Sequence, residues 1–184
     1  MTKEEVYKTE LEIAKDNNLT VKNVKLFRGH DGVGLSCDLY INNKKLAYCF
    51  DDARGGEMEI SAYNSILRNQ LNDLEVKIMA QPTYKRDDLI GTNFRHCLED
   101  IVNALTVKHE EDKQYRKDSK KAIVYKKPDG STWLVSWKNE ALAMLIGKLG
   151  NKAKTMIKDK CIFLEQQGYI VLNKDYLIEL GINV

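Results

Sequence analysis

The sequence lacks the features that mark membrane-spanning, exported and disulfide-stabilised chains. No apolar run approaches the roughly 18–20 residues that a bilayer-spanning helix requires, and the charges in residues 1–15 predict no signal peptide. The cysteines contain no C-x-x-C pair, so they are expected to be reduced, mostly buried thiols and not a zinc site; they are Cys37, Cys49, Cys97 and Cys161. The sequence therefore predicts a folded protein of the cytoplasm with no membrane partner.

Short motifs of the common enzyme classes are also missing. The chain has no Walker loop, no dinucleotide fingerprint, no nucleophile elbow and no pair of histidines spaced to bind zinc on a helix. Our first hypothesis is therefore a binding protein with no catalytic residues and no resident cofactor.

Apolar periodicity predicts an α+β fold in which antiparallel hairpins pack against several helices. We expect one domain over residues 1–184, with possible sub-units 1–82 and 83–184. A capping box at Thr2 predicts a first helix that ends near Asp16. Alternation over residues 35–50, with Asn42 and Asn43 at its centre, predicts a hairpin.

The remaining periodicity predicts three more helices and a second hairpin. The helices are expected over residues 62–78, from about Thr92 toward Lys117, and as one long element from Leu142 to Gln167. The hairpin surrounds the turn 126–130, and alternation on its second strand favours core positions for its two tryptophans, Trp133 and Trp137.

The most distinctive motifs lie between about Val24 and Ile60. They read F-R-G-H-D-G-V-G from Phe27, then D-L-Y, then two lysines after Asn43, then D-D-A-R-G-G from Asp51. The series resembles an uncharacterised family found in phages and other mobile elements, in which a glycine usually stands where this chain has Asn43. The resemblance implies a phage setting, hence the cytoplasm of a host cell, and a three-stranded core; it implies no particular activity.

Charge is segregated along the chain although the formal net charge is only +2. Residues 113–160 contain thirteen Lys and Arg against four Asp and Glu. Such asymmetry predicts an anionic partner, which would be nucleic acid, a nucleotide signal or a nucleic-acid-bound host complex. With the phage resemblance, a counter-defence inhibitor is the role that follows.

Candidate binding residues come from both parts of the chain. Arginine and lysine bind phosphate through charge-assisted hydrogen bonds, and a basic segment beside aromatic strands is typical of proteins that bind single-stranded nucleic acid. The candidates are Arg28, His30, Arg54, Arg116, Lys117, Lys120, Lys121, Lys126 and Lys127.

Two alternative functions remain open from the sequence. A nuclease or phosphodiesterase that depends on Mg²⁺ or Mn²⁺ could use a carboxylate-rich site made of His30, Asp31, Asp51, Asp52 and Glu57. A protein–protein inhibitor could instead act through the acidic half of the chain. The plainer interpretation of the five residues is that the glycines and acids only shape turns, and the sequence favours it.

Overall fold

The computed structural model describes residues 1–89, 91–138 and 140–184, and it shows the mixed α+β fold that the sequence predicts. The chain divides into two compact units, Met1–Glu110 and Glu111–Val184. Their boundary falls inside a helix. No helix in the described ranges is both long enough and apolar enough to cross a bilayer.

The first unit is built on a four-stranded antiparallel sheet in the order β1-β2-β3-β4. Three helices and a short two-stranded ladder complete it, and the third helix continues into the second unit. The elements in chain order are α1 (Lys3–Asp16), β1 (Leu19–Arg28), β2 (Val33–Ile41), β3 (Lys44–Asp51), β4 (Glu59–Ala62), α2 (Ser65–Met79), β5 (Tyr84–Lys85), β6 (Asn93–Phe94) and α3 (Leu98–Lys121).

The core of the first unit lies on one face of this sheet. Alternate residues of β2 are buried there, namely Leu35, Cys37 and Leu39, and they belong to one cluster with Leu74 of α2 and Ile101 of α3. Because successive side chains of a strand point to opposite faces, the intervening residues of β1, β2 and β3 form the other face of the sheet.

The second unit packs three helices against a three-stranded antiparallel sheet in the order β8-β7-β9. Ile123 and Tyr125 of the central strand belong to its buried core, together with Leu142 and Ile157 of two helices. The elements are β7 (Ala122–Lys126), β8 (Thr132–Ser136), α4 (Leu142–Leu149), α5 (Asn151–Gln166), β9 (Ile170–Val171) and α6 (Lys174–Glu179).

Several sequence predictions are confirmed in detail. Thr2 and Glu5 form the capping box of α1, and Asn42 and Asn43 adopt positive φ (49° and 61°) in the β2–β3 turn, as a tight hairpin requires. All four cysteines are free thiols, and three of them are buried while Cys97 is half-buried.

Other predictions are wrong, for identifiable reasons. The helix expected from Thr92 begins at Leu98, because Phe94 pairs with Tyr84 in the β5–β6 ladder and the two rings stack at 5.8 Å. The three-stranded core that the family resemblance implies is a four-stranded sheet, since β4 pairs with β3.

The long C-terminal helix is two helices. Gly150 adopts φ +56° and ψ −132° between α4 and α5, a conformation that ends one helix and that residues with a side chain rarely adopt. Gly147, inside α4, has open space around it: apart from its chain neighbours and the backbone of its own helix, no atom lies within 4 Å of the position that a Cβ would take. Apolar periodicity continues through both helices, which is why the sequence does not reveal the break.

Candidate functional site

The glycine-rich turn of the phage-like motif meets the loop after β3. Asp31 N donates a hydrogen bond of 2.8 Å to Ala53 O, and Gly29 N donates one of 2.9 Å to Gly32 O. A Cβ on Gly29 would lie 2.4 Å from Ala53 Cβ, which is too close for any side chain. This glycine is therefore required by packing between the turn and the loop.

The carboxylates at this end of the sheet bind their own loop. Asp51 Oδ1 accepts a hydrogen bond from Ala53 N (2.8 Å), and Asp52 Oδ1 accepts one from Arg54 N (3.0 Å). His30 Nδ1 lies 2.9 Å from Asp31 Oδ1, and both side chains are exposed, as is Glu57. These contacts match the plainer interpretation, in which the acids shape turns.

No group of three or more His, Cys, Asp or Glu residues in the described part of the chain is placed to bind a metal ion. The carboxylate cluster that a metal-dependent nuclease would use around His30 and Asp51 is thus not seen there. Arg28 and Arg54 are exposed at this same end of the sheet, and Arg54 Nε lies 3.8 Å from Asp52 Oδ2.

The D-L-Y and lysine-pair motifs meet in a hydrogen-bonded cluster around Asp38. Its buried carboxylate accepts hydrogen bonds from Asn23 Nδ2 (2.6 Å) and from the Tyr63 hydroxyl, and it lies 3.1 Å from Lys45 Nζ. Burial by itself raises the pKa of Asp38, but the hydrogen bonds from Tyr63, Asn23 and Lys45 outweigh burial and lower it. Asp38 is therefore a satisfied structural anion.

Three aromatic side chains form a row on the sheet face opposite the core. The rings of Phe27 and Phe50 stack with centroids 5.8 Å apart, and those of Phe50 and Tyr48 stack at 6.5 Å. Phe27 is 37% exposed and Tyr48 is 40% exposed. Phe27 reaches Phe50 across β2 because its partner there is Gly34, on which a Cβ would lie 2.4 Å from Phe27 Cε2.

Lysines lie beside this aromatic row. Lys22 Nζ lies 4.5 Å from the centroid of the Tyr40 ring, and Lys25 pairs with Ser36 in the register of β1 and β2. A β-bulge at Asn23, where φ is +55°, shifts that register. Beside the bulge lies a hollow of about 390 Å³, lined by Lys25, Asp38 and Tyr48 among others.

The basic segment of the second unit begins in the last part of α3 and continues into the β7–β8 hairpin. Five cations lie on the last part of α3, and at about 100° per residue they fall within an arc of about 140° of the helix surface. They are Lys113, Arg116, Lys117, Lys120 and Lys121. The two remaining candidates lie at the far end of β7 from this arc: Lys126 is the last residue of β7, and Lys127 begins the β7–β8 turn.

Trp133 is the exception to the predicted burial of the tryptophans. Trp137 packs partly against the core of the second unit, but Trp133 is 51% exposed, so the prediction is wrong for Trp133. Its ring lies under Lys127 Nζ at 3.9 Å, and its Nε1 donates a 2.8 Å hydrogen bond to Ser131 Oγ. Trp133 lies next to the turn and pairs with Tyr125, the last core residue of β7.

Sequence reasoning missed both the aromatic row and a buried hydrogen-bonded pair. Tyr48 and Phe50 are two residues apart on one strand, which is a signal for a shared face, but nothing local shows that this face is uncovered. The pair joins His96 Nδ1 to Glu10 Oε1 at 2.6 Å, 86 positions apart in the chain, with both side chains buried. The pKa of Glu10 is raised above its ordinary value, because the effect of burial exceeds the lowering by the hydrogen bond and charge of His96.

Comparison of the chain with protein-family models, with curated proteins and with solved structures finds no match in any of the three. The candidate sites therefore rest on the chemistry and geometry of this chain.

Proposed function

We propose that the protein binds single-stranded nucleic acid on the outer face of its four-stranded sheet. The observation that carries the proposal is the stacked row of Phe27, Phe50 and Tyr48, in which Phe27 and Tyr48 are exposed and Phe50 is half-buried. Aromatic side chains on an open sheet are a common platform for unpaired bases, because every base has a π-face that can stack on a ring.

The charges around the row suit a phosphate backbone. Lys22 and Lys25 project from the same face as Phe27, since they share its alternation on either side of the bulge. Arg28 and Arg54 lie at the end of the sheet where Phe27 and Phe50 stand, and His30 lies in the adjoining turn. Bases would stack on the rings while these cations contact phosphates on either side.

The basic arc of α3, in the second unit, offers a separate surface that attracts nucleic acid. Its cations are exposed, and the second unit carries fourteen Lys and Arg against nine Asp and Glu, whereas the first unit has a small excess of acids. Phosphate contacts increase affinity without regard to sequence and weaken as salt rises. In the proposed function, Lys117, Lys120, Lys121, Lys126 and Lys127 supply such contacts, and Trp133 adds a stacking surface.

The direct test is fluorescence anisotropy with labelled oligothymidylate and oligouridylate of about 12 nucleotides. Phe50→Ala and Tyr48→Ala should each weaken binding roughly 5- to 150-fold, because stacking on one ring contributes about 1–3 kcal/mol. The matched control is Phe163→Ala, which removes an exposed aromatic ring beside Lys160 on α5 of the second unit. Thermal unfolding of each variant would establish that the fold is retained.

Two outcomes would overturn the proposal. One is wild-type protein that binds neither oligonucleotide at low salt. The other is tight binding that Phe50→Ala and Tyr48→Ala leave at the level of Phe163→Ala. Binding that is lost only on charge reversal of Lys120, Lys121, Lys126 and Lys127 would assign the contact to the second unit and not to the sheet.

A biological role in phage counter-defence, with action in the host cytoplasm, is the wider setting that we propose for this binding. It rests on the resemblance of residues 24–60 to phage and mobile-element proteins. A counter-defence inhibitor of this kind would occupy nucleic acid that a host complex needs, without cutting it.

A further inference from the structure

We infer that the second unit contains a separate binding site for a nucleoside monophosphate, in a cavity between the last part of α3 and the segment 172–179. The cavity has a volume of about 330 Å³. That size falls at the lower end of small-molecule sites in proteins. The inference goes beyond the proposed function, because it concerns a monomeric ligand in a cavity and not the aromatic row of the sheet, although Arg116 and Lys120 also belong to the basic arc of α3.

The first observation is the unsatisfied hydroxyl of a serine that lines the cavity. Ser119 lines the cavity and is 93% buried by residue, since its exposed fraction is 7%. Its Oγ has no hydrogen-bond partner in the structure. Buried hydroxyls usually have a partner, because leaving one unpaired costs about 1–3 kcal/mol. The Oγ atom itself has almost no accessible surface, so rotation of the Ser119 side chain would be needed to bring it to a ligand oxygen or nitrogen in the cavity.

The second observation is the pair of cations on the same wall. Arg116 and Lys120 both line the cavity and are four residues apart on α3, so they lie on one face of the helix. The structure records no ion pair for either of them within the ranges it describes. An arginine and a lysine side by side, one turn apart, are well suited to a phosphate monoester.

The opposite wall supplies the complementary chemistry. Asp175 and Glu179 line it, again four residues apart, and carboxylates accept hydrogen bonds from ribose hydroxyls and from exocyclic amino groups of bases. Tyr115 and Tyr176 also line the cavity and provide aromatic surface for a base. One positive wall, one negative wall and two rings together match a nucleotide better than an inorganic anion.

Isothermal titration calorimetry on the full chain would test the site with the four ribonucleoside 5′-monophosphates, and with adenosine and inorganic phosphate as separate ligands. At least one monophosphate should bind saturably. Adenosine and phosphate should each bind with an affinity at least about tenfold lower. Arg116→Gln and Lys120→Gln should each lower the affinity for the monophosphate by about tenfold or more, because each removes a charge-assisted hydrogen bond. Lys158→Gln, an exposed lysine of α5 outside the cavity, is the matched control and should bind as wild type.

Ser119→Ala separates binding from folding. Because the Ser119 hydroxyl has no partner in the unliganded protein, the substitution should leave thermal stability unchanged or slightly higher. It should lower the affinity for the monophosphate by about fivefold. The inference is overturned if no monophosphate binds at millimolar concentration, or if the Arg116, Lys120 and Ser119 variants bind as tightly as Lys158→Gln. Phe50→Ala, which tests the sheet, should leave monophosphate binding intact, so failure of one proposal is distinguishable from failure of the other.

Discussion

Phe27 and Phe50 stack although a whole strand separates them, because Gly34 leaves the space between their rings open. Phe27 pairs with Gly34 in the register of β1 and β2, and its ring occupies the volume where a side chain of β2 would stand. An aromatic ring that covers a glycine in a neighbouring strand is a known stabilising arrangement of sheets. The same arrangement aligns Phe27 with the rings of Phe50 and Tyr48.

Gly34→Ala should therefore lower both stability and nucleic-acid binding. The new Cβ would lie 2.4 Å from Phe27 Cε2 and 2.6 Å from Asp51 O, so the ring or the backbone must move. Forcing a group into packed surroundings costs about 1–3 kcal/mol in the free energy of unfolding, which urea denaturation measures.

Gly147→Ala is the matched control for Gly34→Ala. That glycine lies in α4 with open space around it, so alanine should increase stability by up to about 1 kcal/mol through helix propensity. If the two substitutions changed the free energy of unfolding equally, Gly34 would not be needed to make room for the Phe27 ring.

The difference between these two glycines shows what sequence can and cannot predict here. Periodicity and turn residues predict most elements, because capping boxes, Asn turns and alternation are local signals. The space beside Gly34 depends on a ring from another strand, and the break at Gly150 depends on its backbone conformation and not on any change in apolar spacing. For the same reason, the sequence does not show that the motif residues Gly29 and Asp38 serve packing and hydrogen bonding.

Asp38 should make the protein less stable in acid. Its folded pKa lies below the ordinary value of an aspartate, so its stabilisation is complete above about pH 4 and is lost as the pH falls through the lower, folded pKa. Asp38→Asn removes the charge that Tyr63, Asn23 and Lys45 surround, and it should cost about 2 kcal/mol at neutral pH.

Urea denaturation at several pH values would check the acid dependence. The stability difference between wild type and Asp38→Asn should shrink as the pH falls below about 4. Asp159→Asn serves as the control, since that residue is exposed on α5 and should show little difference at any pH. A difference that stays constant down to the acid limit would contradict the hydrogen-bonded anion.

The buried pair of Glu10 and His96 predicts strong energetic coupling. His96→Leu should cost about 3–5 kcal/mol, because it leaves the Glu10 carboxyl buried without its partner, and Glu10 Oε2 has no partner even in the wild type. Glu10→Leu combined with His96→Leu should recover part of that loss, since no uncompensated polar group remains. Additive losses in this double-mutant cycle would show that the pair is not coupled.

The pH dependence of the His96→Leu variant has the opposite sign to that of Asp38. Burial already raises the pKa of Glu10, and removal of His96 takes away the hydrogen bond and the charge that lower it. A raised folded pKa gives stability that is present below the ordinary glutamate pKa and lost as the pH rises through the folded value. Thermal melts of His96→Leu should therefore show falling stability from about pH 4 upward, and a flat profile would argue that Glu10 is solvated in the variant.

Salt dependence separates phosphate contacts from stacking on the sheet. If Lys22 and Lys25 each contact one phosphate, the logarithm of the association constant should fall with the logarithm of salt concentration, and each contact should contribute a slope of about −0.7 for a single strand. Lys22→Gln and Lys25→Gln should each make the slope shallower by about that amount, whereas Phe50→Ala should lower affinity and leave the slope unchanged. Lys77→Gln is the control, because α2 packs on the core side of the sheet. A slope that none of the lysine substitutions changes would mean that phosphates do not contact this face, and stacking alone would then have to account for any binding.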